Sequence, residues 1–118
     1  MTTGSNNTFI GYDAAGTGIV TGNSNNGMGV GAFRALTSGA NNTAVGDSAG
    51  VSVTTGSNNL LLGHDAGRTG SPGGNITTAS ERIVIGDETI VVANIQVALT
   101  VASDQRDIKI LVVFLWLR

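Results

Sequence analysis

The stretch TGSNNTFIGYDA (residues 3–14) returns as TGSNNLLLGHDA (residues 55–66), identical at eight of its twelve positions. Each copy runs from a polar corner through a short apolar stretch to a glycine. Two looser copies lie between them and a fainter one follows. Aligned on the closing glycine, the anchors are Gly11, Gly31, Gly46, Gly63 and Gly86, each preceded by a branched aliphatic: Ile10, Val30, Val45, Leu62 and Ile85. Two residues earlier stand Thr8, Met28, Thr43, Leu60 and Ile83. Alternate residues of a strand share a face, so the pattern predicts one short strand per copy with these two files inside. Phe9, Gly29, Ala44, Leu61 and Val84 are then expected to point away from the interior.

The corners read Asn6-Asn7, Asn26-Gly27, Asn41-Asn42 and Asn58-Asn59, residue types that tolerate a left-handed backbone. The fifth copy has Glu81-Arg82 there and is degenerate. Successive anchors are 20, 15, 17 and 23 residues apart. That is too short for a helical repeat and suits one coil of a solenoid. The expected fold is therefore all-β: a parallel β-solenoid or β-roll over residues 1–90, with a short strand in each coil of 15–20 residues. Coils stacked at about 4.8 Å would pair strand on strand and let corner asparagines hydrogen-bond up the stack as a ladder. Uneven spacing implies corner insertions, notably GRTGSPGG at 67–74. A connecting strand is expected at 91–103, and a short remnant with an apolar tail at 104–118.

Composition narrows the function. One Lys and five Arg against eight acids give a net charge of −2 with no basic stripe, which argues against nucleic-acid binding. There is no Cys for a disulfide or thiolate site. The opening MTTGSNNT has neither the basic nor the apolar region of a secretory signal, and ILVVFLWL (110–117) is far short of a membrane-spanning helix, so no membrane insertion is expected. Only three of the eight acids and two of the six bases fall within residues 1–70. Coils so poor in charge want a covering partner, and a parallel homotrimer would cover both the outer face and the sheet edges.

NNTFIG, NNTAVG and NNLLLG, each followed closely by Ala, resemble the head repeats of trimeric autotransporter adhesins, which also occur in bacteriophage tail fibres. The resemblance covers residues 3–88 and implies a β-roll of three intertwined chains. Further on, VASDQRDIKI (101–110) resembles the junction at which the intramolecular chaperone of phage tail fibres and endosialidase tailspikes, the S74 peptidase family, begins. That likeness implies a cut between Ser103 and Asp104, with Ser103 as nucleophile and Arg106 as the matching Arg. The family Lys would fall at Ile108, and Lys109 stands one residue late. A serine nucleophile needs a base placed to take its proton, and only ILVVFLWLR follows where a chaperone body should stand, so self-cleavage is not expected.

Sharper readings are weaker. GMGVGAF (27–33) has the glycine spacing of a phosphate loop without its Lys-Ser/Thr. His64 has no second His or Cys near it for a metal, and the Asp residues at 13, 47, 65 and 87 alternate between the first and second place after the anchor, a poor calcium array. No metal, cofactor or enzymatic activity is expected. The reading that remains is a structural, receptor-facing segment of a viral tail fibre, located in the virion. It associates with itself as a homotrimer and with a host surface receptor or glycan. The head of a bacterial surface adhesin is the alternative within that class. Tyr12, Phe33, Arg34, His64 and Arg68 are the candidate contact residues at the corners. A flat-faced solenoid such as an ice-binding protein is the alternative outside it. That reading needs Thr in one outward file, whereas Thr8 and Thr43 are expected to face inward.

Overall fold

The computed structural model describes residues 2–96. Its regular elements are five three-residue strands and no helix: β1 Thr8–Ile10, β2 Asn26–Met28, β3 Thr43–Val45, β4 Leu60–Leu62 and β5 Ile83–Ile85. They form one sheet in sequence order with every neighbouring pair parallel. A parallel sheet whose order follows the sequence requires the chain to travel once round between strands. This is a β-solenoid of stacked coils.

The register corrects the sequence alignment at the second coil. Ile10 pairs with Met28, Met28 with Val45, Val45 with Leu62 and Leu62 with Ile85. The second anchor is thus Gly29, and Val30-Gly31 lies beyond the strand. The anchors Gly11, Gly29, Gly46, Gly63 and Gly86 are then 18, 17, 17 and 23 residues apart, a more even pitch than the sequence alignment gave. The longest interval holds the insertion at 67–74.

The inside and outside of the strands are also exchanged. The middle residues Gly27, Ala44, Leu61 and Val84 are buried and Phe9 packs against the core. The flanking residues face out, so Ile10, Val45 and Ile85 are 54%, 42% and 64% exposed and Leu62 is half-buried. The reason is room. The interior is narrow, and where Phe9 and Phe33 fill it the buried file falls to small residues, Gly27 and Ala44, before Leu61 and Val84 fill the upper levels. A Cβ on Gly27 would sit 2.9 Å from the Phe9 ring and 3.2 Å from the Phe33 ring, and one on Gly50 would press on Phe33 and Leu61. Phe33 fills the level that Gly27 leaves empty. It is fully buried, with a left-handed φ of 54° turning it inward, which removes it from the corner contacts expected of it. Val20, Leu36, Val53 and Ile76 complete the core from the returning segments. Full burial of such side chains contributes about 1.5–3 kcal/mol each.

The corner before each strand has a fixed design. Its first residue is left-handed: Asn6, Ser24, Asn41, Asn58 and Glu81 have φ between 58° and 62°. The next is the ladder residue. The Asn25 amide donates to Asn7 Oδ1 at 3.0 Å, Asn42 to Asn25 and Asn59 to Asn42 at the same distance. Each of these amides also donates to a carbonyl, of Gly39, Gly56 and Ala79 respectively. Each Oδ1 in turn accepts the backbone N–H of the coil above, ending at Arg82. Asn25 and Asn42 are fully buried and Asn59 nearly so, and the geometry uses both their donors and acceptors. No buried side-chain N or O among the described residues lacks a partner. Behind the ladder Gly4, Gly22, Gly39 and Gly56 stack so closely that a Cβ on any one would strike the carbonyl of the residue above it in the column. Ala79 ends this column.

Candidate functional site

The outer surface of the sheet carries two files. Thr8, Asn26, Thr43, Leu60 and Ile83 make one; Ile10, Met28, Val45, Leu62 and Ile85 make the other. None of the ten is charged. Met28 is 50% and Ile83 73% exposed, so the apolar surface runs across all five rungs, about 19 Å at about 4.8 Å per rung. Thr8 and Thr43 belong to this outward surface, which corrects the expectation that they face inward.

Past the anchoring glycines the chain turns a second corner, left-handed at Asp13, Gly31, Ser48 and Asp65. Here the structure gathers two expected contact residues. Tyr12 and Arg34 line a groove of about 320 Å³ together with Asp13, Val30, Gly31, Ser48 and Val51. Tyr12 is 82% exposed, and Arg34 Nε meets Asp13 Oδ2 at 2.7 Å. Sequence reading missed Asp13 as the partner of Arg34, since 21 positions separate them and only the coil geometry brings them together.

The other two candidates lie further up. His64 Nδ1 meets Asp87 Oδ2 at 3.0 Å, and its Nε2 lies 3.7 Å from Asp65 Oδ2. Arg68 pairs with Asp65 at 3.0 Å. The hydrogen bond that His64 Nδ1 donates to Asp87 raises the His64 pKa, with the charge of Asp65 assisting. Bonds from the Thr89 hydroxyl, from His64 and from the Thr89 backbone N–H lower Asp87 to about 2. His64 thus ties the fourth coil to the fifth. Among the described residues no group of three or more His, Asp or Glu is placed to hold a metal. No helix there is long and apolar enough to cross a membrane.

A larger groove of about 430 Å³ opens on the opposite flank of the strands, lined in part by Asn58, Leu60, Glu81 and Arg82. A third outward file follows from the glycine column. Thr3, Thr21, Ser38, Thr55 and Thr78 each precede a member of that column, and all five are exposed. The junction residues Ser103, Asp104, Arg106 and Lys109 lie outside the described residues. So does most of the connecting strand expected at 91–103; its described part, 91–96, is exposed and carries no strand.

Compared with family models, with curated proteins and with solved structures, the chain matches none.

Proposed function

We propose that this chain is a structural segment of a trimeric attachment fibre of the viral tail-fibre type, its coils packed against those of two further copies. The head of a bacterial surface adhesin would use the same mechanics. The observation that supports this reading is the uncharged outer face of the sheet. Parallel sheets occur almost only with both faces covered, yet here Ile10, Met28, Val45 and Ile85 stand open, with Leu62 half-buried between them, along five rungs. Covering half-exposed side chains of this kind is worth roughly 1 kcal/mol each, taken as about half of full burial. A single flat file would supply several such contributions per copy. Around a threefold axis the three files meet one another, and the stacked backbone makes the assembly stiff along its length. The sequence likeness to adhesin head repeats points to the same arrangement.

The test is the solution mass of the full chain by sedimentation equilibrium, expected at three times the 11.9 kDa chain mass. Val45→Asp, placed on the outer file, should reduce the mass to that of one chain while leaving the β-type circular dichroism intact. A well-folded wild-type monomer at tens of micromolar would refute the fibre reading and leave the solenoid standing.

A second reading rests on a different surface. The file Thr3, Thr21, Ser38, Thr55 and Thr78 offers a hydroxyl at each rung, and Ser5, Asn23, Ala40, Ser57 and Ser80 run beside it two residues on. Hydroxyls of the first file repeated every ~4.8 Å along the stack form a polar row able to order water, although Asn23, Ser57 and Ser80 of the second file already accept backbone N–H groups. Thermal hysteresis measures this directly: a freezing-point depression lost in Thr55→Tyr would favour an ice-binding solenoid over the fibre.

A further inference from the structure

We infer that the corner groove of Tyr12, Asp13 and Arg34 is a binding site for a neutral pyranose ring of a surface glycan. This rests on the receptor-facing part of the reading above and not on the trimer.

The groove owes its existence to one missing side chain. At the second corner the successive coils carry Asp13, Gly31, Ser48 and Asp65, and only Gly31 leaves its place empty. Gly31 itself is buried, yet a Cβ there would have nothing nearer than Ser48 Oγ at 3.8 Å, so the place a side chain would take is unfilled. Its volume of about 320 Å³ is at the lower end of ligand-sized clefts and suits one ring.

Its lining combines apolar and polar groups, as a sugar does. Tyr12, the one tyrosine of the chain, stands on the rim and is 82% exposed. An aromatic face left this bare forgoes a large burial contribution, and the C–H face of a pyranose is an apolar surface of matching size. Val30 and Val51 extend the apolar side. In the same lining the Arg34 guanidinium has Asp13 as its partner through Nε. Its two terminal amino groups have no other partner among the described residues. A guanidinium fork beside a carboxylate offers paired donors and an acceptor in fixed geometry, the pattern that adjacent ring hydroxyls satisfy. Asp13 cancels the charge of Arg34, which favours a neutral sugar over an acidic one. The larger groove on the other flank has no aromatic residue and includes Leu60 and Ile83 of the self-association face, so it does not compete for this role.

The experiment is an NMR titration of the ¹⁵N-labelled full chain with methyl glycosides of glucose, galactose, mannose and N-acetylglucosamine, each to tens of millimolar. At least one should shift the amides of Tyr12, Gly31 and Arg34 and receive saturation transfer from the Tyr12 ring. Tyr12→Ala and Arg34→Gln, both at exposed positions, should each weaken that binding tenfold or more with solution mass unchanged. Three outcomes would overturn the inference: no glycoside shifting these amides, shifts that survive Tyr12→Ala, or a Tyr12→Ala variant that falls to a lower mass, which would make Tyr12 a contact between copies. Because mass and titration are read separately, a wild-type chain of trimer mass that binds none of the glycosides removes this site alone.

Discussion

Replacing Asn42 tests the physical basis of the stack. The side chain is fully buried at the centre of the ladder. Its Nδ2 donates to Asn25 Oδ1 at 3.0 Å and to Gly56 O at 2.9 Å, while its Oδ1 accepts the backbone N–H and the Nδ2 of Asn59, both at 3.0 Å. Asn42→Ala removes all four bonds. Asn25 Oδ1 keeps the backbone N–H of residue 42, and Asn59 Nδ2 keeps Ala79 O. Left without a partner are the Asn59 N–H, one Asn59 amide hydrogen and the Gly56 carbonyl. At about 1–3 kcal/mol for each buried unsatisfied group, and allowing for some entry of water, the loss is about 3–6 kcal/mol. Asn42→Asp keeps the shape but turns an oxygen toward two acceptors. It should therefore cost more than the alanine near pH 7, and part of that loss should return in acid, when the carboxyl is protonated and regains one donor. Urea denaturation followed by circular dichroism reads both variants, with exposed Asn75→Ala as a control expected within about 0.5 kcal/mol of wild type. Should Asn42→Ala fall within 1 kcal/mol of that control, the ladder would not be what holds the coils in register.

Gly39→Ala places a methyl against the Gly56 carbonyl; thermal melts should show a loss above about 3 kcal/mol, since overpacking against backbone has no cheap relaxation. Ala79→Gly, at the end of the same column, should stay within about 1 kcal/mol of wild type. Glu81→Asn suits the left-handed φ of 62° better and should stabilise by about 0.5–1 kcal/mol in the same melts. For the His64–Asp87 contact, the raised His64 pKa means its contribution is full below pH 6.5 and fades as pH rises through the folded-state value. The lowered Asp87 pKa means its contribution is full above pH 3.8 and fades as pH falls through about 2. Amide exchange in β5 should accordingly be slowest between about pH 4 and 6.5 after correction for intrinsic rates, and His64→Gln should flatten the upper limb.

Much of the fold is legible because Asn-Asn corners precede Gly11, Gly46 and Gly63, and the aliphatic-glycine pair alone places Gly86. The second coil misled for a local reason. GMGVG offers Gly29 and Gly31, each after an apolar residue, and pattern matching cannot choose between them. The ladder decides it, since Asn25 must lie between Asn7 and Asn42. The reversal of inside and outside has a more general cause. Both faces of these strands carry aliphatics, so alternation does not reveal which is buried. The informative signal was size: Gly27 and Ala44 occur in the file that includes Phe9, and a narrow interior demands small residues where a surface does not. Phe33 was misplaced on the same account, because its burial depends on Gly27 and Gly50, contributed by strand and corner positions of different coils. The Tyr12 and Arg34 groove was legible as two residues but not as a site, since Asp13 joins Arg34 only through the coil.

Three columns change character at the same level. Where lower coils carry glycine, asparagine and a left-handed asparagine or serine, the fifth carries Ala79, Arg82 and Glu81. A coil laid above would meet a methyl in place of a gap and find no side-chain amide to bind. The fifth level therefore breaks the series of glycine and asparagine contacts that joins the coils beneath it. Duplicating residues 29–45, one 17-residue period below that level, should lengthen the column by about 4.8 Å and leave both extremities as they are.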